Sequence, residues 1–129
     1  MKLEDQVCSL ELAKRLKELG VKQESIWIWA EYPKSIYPKG YKIILNREDS
    51  DIFRTSKTWY SSFTAAELGV MLPDGFRSGN CSGQFLCMVP SDNGTLESTV
   101  RLKMFDIKIE ADARAKMLIH LIEKGIVKP

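Results

Sequence analysis

The chain is poor in the residues that metal sites and histidine-based catalysis use. Among its 129 residues there is one histidine, His120, and there are three cysteines, Cys8, Cys81 and Cys87. None of these side chains has the short spacing of a structural zinc motif, and an odd, scattered set of cysteines is not the pattern of a secreted disulfide framework. We therefore expect reduced thiols, no metal site, no cofactor and a cytoplasmic location.

Long apolar runs are missing, and so is an excess of charge of either sign. No stretch approaches the ~20 apolar residues of a membrane span, and the opening MKLEDQ lacks the apolar core of an export signal. Lys and Arg number 19 against 17 Asp and Glu, a net charge of +2 that argues against a strongly basic nucleic-acid binder. Without repeats, low-complexity tracts or linkers, the sequence predicts a single domain, residues 1–129, with no membrane association.

Two amphipathic helices are predicted near the ends of the chain. Apolar residues recur at helical spacing over about residues 3–19 and about residues 111–124. Gly20 and Gly125 follow these segments, where glycine can adopt the left-handed conformation that ends a helix. Both glycines are followed by an aliphatic residue that can fold back onto the last turn.

A short central helix and four strands complete the predicted fold. Thr64-Ala-Ala-Glu67 has the sequence of a capping box, and Pro73 ends the helix that it begins. Residues 46–57 and 74–83 are predicted as loops, the second one rich in glycine. Strands are predicted at residues 25–29, 41–45, 84–89 and 99–109. The order α-β-β-α-β-β-α indicates an α+β domain, a small antiparallel sheet packed against the N- and C-terminal helices.

Aromatic residues are concentrated in the middle of the chain. Nine of the twelve Phe, Trp and Tyr residues lie between Trp27 and Phe63, where Lys and Arg outnumber acidic residues. Tyr, Trp and Arg are favoured at binding hot spots, and aromatics beside cations also suit nucleotide stacking. The alternative is that these rings build the core, which we expect for Ile26, Trp27 and Phe63. The candidate partner-binding residues of this region are Tyr32, Tyr37, Arg54, Trp59 and Tyr60.

The glycine-rich stretch 75–83 is a second candidate ligand site. Glycines permit backbone conformations in which successive N–H groups converge on an anion. Arg77, Ser78 and Asn80 add side-chain donors. These donors together suit a phosphate group or a nucleotide. The alternative is that the stretch is an ordinary surface loop without a ligand.

Enzymatic function is the runner-up, because familiar phosphate-binding, zinc-protease and nucleophile-elbow motifs are absent from the sequence. A small hydrolase or transferase would use Cys81, whose thiol lies in sequence near Arg77, or His120. Lys116 and Lys124, one helical turn either side of His120, disfavour its protonated form, so we expect a surface or boundary histidine. Nucleic-acid binding is a third alternative, which the net charge weakens.

Three segments resemble a family of small phage and prophage accessory proteins with no assigned activity. They are residues 3–20 (LEDQVCSLELAKRLKELG), 63–72 (FTAAELGVML) and 111–120 (ADARAKMLIH). The resemblance implies an accessory role, such as binding a host factor or sequestering a nucleotide signal to counter antiviral defence. Together with the aromatic region, it leads us to expect a non-enzymatic protein that binds a host protein or a nucleotide-like ligand in the bacterial cytoplasm and that could form a homo-oligomer.

Overall fold

The structure, a computed structural model, describes residues 2–46, 59–73, 76–81, 84–88 and 109–129. A 3-10 turn at Leu3–Asp5 precedes the first helix. The predicted α+β class is confirmed. In chain order the elements are α1 (Leu10–Glu18), β1 (Trp27–Glu31), β2 (Tyr41–Leu45), β3 (Trp59–Ser61), α2 (Ala65–Met71), β4 (Arg77–Cys81), β5 (Gln84–Met88) and α3 (Glu110–Glu123).

The sheet has three antiparallel strands in the order β2-β1-β3. Trp29 on the central strand lies opposite Ile43 of β2 and Tyr60 of β3. Strands β4 and β5 form a separate antiparallel hairpin. The sequence does not predict β3, because a strand of three residues has too little alternation to be recognised. The predicted strand at 99–109 and the predicted loop at 46–57 lie, apart from Asn46 and Ile109, outside the described residues.

Helix α1 begins at Leu10, seven residues later than the sequence predicts. The segment before it is extended and bound to the residues that precede α2. Val7 forms an antiparallel bridge with Thr64, and the Cys8 N–H donates to the Phe63 carbonyl at 2.8 Å. A backbone committed to these long-range bonds cannot also form helical hydrogen bonds, so apolar periodicity alone mispredicts this end.

The ends of the helices follow the local sequence signals. Thr64 caps α2 in a complete capping box with Glu67. Gly20 and Gly125 have φ of 91° and 74°, the left-handed conformation predicted for them. The N–H groups of the two residues that follow donate to Leu16 and Leu121, at 3.1 and 2.9 Å.

The core lies among the three helices and the sheet face that carries Trp29 and Tyr60. Phe63 is completely buried, as predicted. Ile26 is 60% exposed, so its assignment to the core is wrong, and Trp27 is half-buried. The N–H of Ile26 donates to the Glu67 carboxylate, and only its carbonyl is paired with the neighbouring chain, through the Asn46 N–H at 2.8 Å. Strand β1 therefore begins at Trp27, two residues later than predicted.

Candidate functional site

The turn between β1 and β2 presents two of the predicted partner-binding tyrosines. We call residues 32–40 the hairpin tip. The rings of Tyr32 and Tyr37 meet edge to face with centroids 6.3 Å apart. Backbone bonds fix the turn: the Tyr32 N–H donates to the Gly40 carbonyl at 2.7 Å, and the Tyr37 N–H donates to the Pro33 carbonyl at 3.0 Å. Gly40 has φ of 82°, which a residue with a side chain rarely adopts.

The hairpin tip also exposes one large aliphatic side chain, next to Tyr37 in the sequence. Ile36 is 74% exposed, while Tyr32 and Tyr37 are half-buried. The charged residues of the tip are Lys34 and Lys39, both exposed, which give it a formal charge of +2. The sequence analysis missed Ile36, because a single aliphatic residue in a polar, proline-containing turn has no periodic signal.

Trp59 and Tyr60, the other predicted aromatic residues, are half-buried and form a different cluster with Tyr41 and two lysines of α1. We call this set the lysine–aromatic cluster. The Lys14 ammonium lies 5.1 Å from the Tyr41 ring centroid and 5.7 Å from that of Tyr60. The Lys17 ammonium lies 4.8 Å from the Trp59 ring centroid and 5.1 Å from that of Tyr60.

The contacts of this cluster hold α1 against the sheet. Lys17 donates to the Trp59 carbonyl at 2.7 Å, and the Tyr41 and Tyr60 rings lie 6.3 Å apart. Burial, followed by the nearby Glu31 carboxylate, raises the pKa of the Tyr41 hydroxyl. Cation–π attraction of this kind contributes about 0.5–1 kcal/mol at exposed sites. The faces of Trp59 and Tyr60 are therefore already engaged within the chain, which leaves the hairpin tip as the more available part of the predicted surface.

The predicted glycine-rich loop is an antiparallel strand over residues 77–81. Gly79 lies opposite Leu86, and Ser78 lies opposite Cys87. In such a strand successive N–H groups point in opposite directions, so these residues do not form the converging anion site that the sequence suggested. The backbones of Arg77 and Asn80 belong to this strand, and their side chains lie outside the described part of the structure, as does Arg54 altogether.

The side chain of Ser78 is held in an internal polar cluster. Its hydroxyl contacts the Glu110 carboxylate and accepts a 2.8 Å hydrogen bond from Nε of Arg114. Arg114 also donates from Nη1 to the Ala65 carbonyl at 2.6 Å. One guanidinium thus joins the β4–β5 hairpin, α2 and α3, which makes Ser78 a structural contact more than a ligand donor.

The cysteines and His120 offer little support for the enzymatic alternative. Cys8 is fully buried, and burial raises the pKa of its thiol to about 12, which suppresses the reactive thiolate. In the β4–β5 pairing, Cys81 lies opposite Gln84, and Cys87 lies opposite Ser78. The two cysteine backbones are therefore offset by three residues, or ~10 Å along the strands, which is too far for a disulfide. His120 is buried, with 9% exposed, so the predicted surface or boundary position is wrong: the residue lies on the inner face of α3.

The described residues include neither a metal-binding cluster nor a membrane-spanning helix. They contain no group of three His, Cys, Asp or Glu side chains arranged to hold a metal ion. Within the same ranges, no helix combines the length and the apolar character that crossing a bilayer requires.

Comparison of the chain with protein-family models, with curated proteins and with solved structures finds no match.

Proposed function

We propose that this chain is a non-enzymatic binding protein that docks onto an acidic patch of a host protein through its hairpin tip. The exposed Ile36 side chain, on the same turn as the two packed tyrosines, is the observation that carries the proposal. An aliphatic anchor beside rigid aromatic rings has the composition of an interface centre surrounded by a polar rim. The resemblance of the helices supports a phage or prophage accessory role and a bacterial cytoplasmic setting.

The charge of the tip favours an acidic partner. Lys34 and Lys39 flank the apolar centre, and no acidic residue occurs between positions 32 and 40. Rim lysines of this kind accelerate association with a negatively charged surface and make it sensitive to salt. A nucleotide-like ligand is less well supported, because the described part of the glycine-rich segment is strand.

Geometry also favours binding without large rearrangement. The tip is held by backbone bonds within the turn and by the antiparallel pairing of β1 with β2. A preorganised turn loses little conformational entropy when a partner binds, so a small patch can contribute useful affinity.

Site-specific photocrosslinking in host cells tests the proposal. A photoreactive residue replaces Ile36, and the matched control carries it at Ile126, which is 55% exposed outside the tip. The crosslinked partner is then purified, and its affinity for the chain is measured by titration. Ile36→Asp should weaken binding at least tenfold, as expected for a hot-spot residue, while Ile126→Asp changes it less than twofold.

Charge reversal provides the second arm. Lys34→Glu with Lys39→Glu should slow association and flatten its salt dependence, whereas Lys124→Glu, an exposed control, should not. Undiminished affinity of the Ile36→Asp chain for the purified partner contradicts the proposal. Crosslinks from position 36 to nucleic acid instead of protein also contradict it.

A further inference from the structure

The two edges of the three-stranded sheet differ in how their outward backbone groups are bonded. Strand β3 forms one edge, and its pairing with β1 turns the backbone groups of Trp59 and Ser61 away from the sheet. Side chains bind both residues there: the Ser61 N–H donates to the Gln23 side-chain carbonyl at 2.8 Å, and the Trp59 carbonyl accepts from Lys17 at 2.7 Å. Residues of the same chain therefore already occupy this edge.

Strand β2 forms the other edge, and its outward backbone groups have no such partners among the described residues. The bond from the Tyr32 N–H to the Gly40 carbonyl fixes the alternation of the β1–β2 ladder. The backbone groups of Tyr41 and Ile43 consequently point away from β1. Within the described ranges, no hydrogen bond reaches the N–H or the carbonyl of either residue. An edge of this kind is a template for a further strand.

The charge of the hairpin that carries this edge is mostly positive. Lys42 lies at the centre of β2 and is exposed, and Lys34 and Lys39 are exposed in the adjoining hairpin tip. Glu31, at the end of β1, is the acidic residue of the hairpin. Residues 31–45 therefore carry three lysines and one glutamate, which favours an acidic partner over a basic one.

The position of Lys42 determines which strand can pair with β2. An antiparallel strand bonded to Tyr41 and Ile43 places one residue directly opposite Lys42, in a non-hydrogen-bonded pair whose Cα atoms lie only ~4.5 Å apart. An acidic side chain at that position is stabilising, and a basic one is destabilising. Two copies of this chain that paired symmetrically through Tyr41 and Ile43 would place their Lys42 side chains against each other. This register therefore disfavours self-pairing.

We propose that β2 is extended by an antiparallel strand of the bound partner that has an aspartate or glutamate opposite Lys42. The residues on either side of that acid would lie beside Tyr41 and Ile43, whose half-buried side chains favour apolar neighbours. Main-chain bonds supply affinity in such an interaction, and alternate side chains supply specificity. The inference rests on the proposed function, because β2 begins directly after the hairpin tip and one partner contacts both.

NMR titration of the full chain with two synthetic peptides tests this inference without the host partner. The acidic peptide is acetyl-TVEVT-amide, and the basic peptide is acetyl-TVKVT-amide. The acidic peptide should shift the amide protons of Tyr41 and Ile43 downfield and slow their exchange with solvent, because both amides gain acceptors. The basic peptide should bind about threefold more weakly or worse, since its lysine lies opposite Lys42.

Charge exchange at Lys42 gives the matched control. Lys42→Glu should reverse the preference, so that the basic peptide binds about threefold more tightly than the acidic one. Lys124→Glu makes the same change in net charge at an exposed position beyond β2, and it should leave the preference for the acidic peptide unchanged.

Three outcomes overturn the inference. They are failure of the acidic peptide to bind, equal affinity of the two peptides for the unmodified chain, and protection of the Ile43 amide that grows with protein concentration and needs no peptide, which would show pairing between two copies. Failure of the proposed function is distinguishable, because Ile36 lies outside β2 and Ile36→Asp should leave peptide binding unchanged. Successful crosslinking from position 36 without peptide binding removes the edge pairing alone.

Discussion

Replacing Gly69 by alanine should destabilise the protein, although the same change in an ordinary helix is stabilising. Gly69 lies in α2, where alanine is normally favoured over glycine by about 1 kcal/mol. A Cβ atom at this position would overlap Nη1 of Arg114, so the guanidinium would have to move. The cost of that movement comes from the hydrogen bonds that hold the guanidinium in place.

The expected magnitude follows from what Arg114 would lose. A hydrogen bond from a charged donor contributes about 1.5–3 kcal/mol, and Nη1 donates to the Ala65 carbonyl at 2.6 Å. Loss of this bond alone outweighs the gain in helix propensity. We expect Gly69→Ala to lower the free energy of unfolding by about 1 kcal/mol, or the melting temperature by about 3–5 °C.

A double-mutant cycle isolates this contact. Arg114→Met keeps an apolar stem but removes the guanidinium, so Gly69→Ala in that background should stabilise by the ordinary ~1 kcal/mol. Urea denaturation of the four proteins then gives a coupling energy of about 2 kcal/mol. Equal stabilisation by Gly69→Ala in both backgrounds would refute the reasoning, because it would mean that Arg114 does not occupy the space above Gly69.

Three further predictions concern single side chains. Thr64→Ala removes a hydroxyl that caps α2 and should lower the free energy of unfolding by about 1–2 kcal/mol in urea titrations. Ser9→Ala, at an N-cap whose side chain makes no bond to the helix backbone, should change it by less than half as much. Burial raises the pKa of Asp112, so its charge opposes folding once the pH rises above the ordinary value of 3.8. The melting temperature of Asp112→Asn, relative to that of the unmodified chain, should therefore be higher at pH ~7 than at pH ~3. A difference that stays the same at both pH values contradicts this. The thiol of Cys8 has a pKa of about 12 and no exposed surface, so iodoacetamide at pH ~8 should leave it unmodified in the folded protein and alkylate it in urea, as peptide masses would show.

The sequence predicted the features whose causes are local. The capping box that begins α2 and the glycines that end α1 and α3 depend on residues within one helical turn, and all three form as expected. Strand β2 has the predicted limits because its apolar pattern and the Gly40 turn agree.

The errors arise where a pairing partner, and not local composition, decides the structure. Residues 7–8 have helical apolar spacing, but their backbone bonds go to Phe63 and Thr64, far outside any window over which local propensity is read. Residues 77–81 have the composition of a loop, but β5 pairs with them within eleven residues of chain. There the glycine-rich composition concealed a local hairpin.

The candidate site was predicted only in part, for a similar reason. A high density of aromatic residues does not specify which rings contact one another. Trp59 and Tyr60 are engaged by lysines of α1, and Tyr32 and Tyr37 pair with each other and leave Ile36 exposed. Lys14 and Lys17 are three residues apart in α1, a spacing that places them on one helix face, but nothing local indicates that aromatic rings lie beneath them.

Glu67 connects the part of the molecule that carries the hairpin tip to an apolar groove lined by residues of α2 and α3, including Val70. Its carboxylate caps α2, lines the groove and binds the Ile26 N–H next to the start of β1. Substitution of Glu67 would disturb both surfaces, so a loss of binding in such a variant could not be assigned to either one. Ile36 and Val70 are exposed side chains on different elements, so the effects of Ile36→Asp and Val70→Glu on binding of the crosslinked partner should be independent, with Val70→Glu close to neutral. A non-additive loss would instead show that one partner contacts both the hairpin tip and the groove.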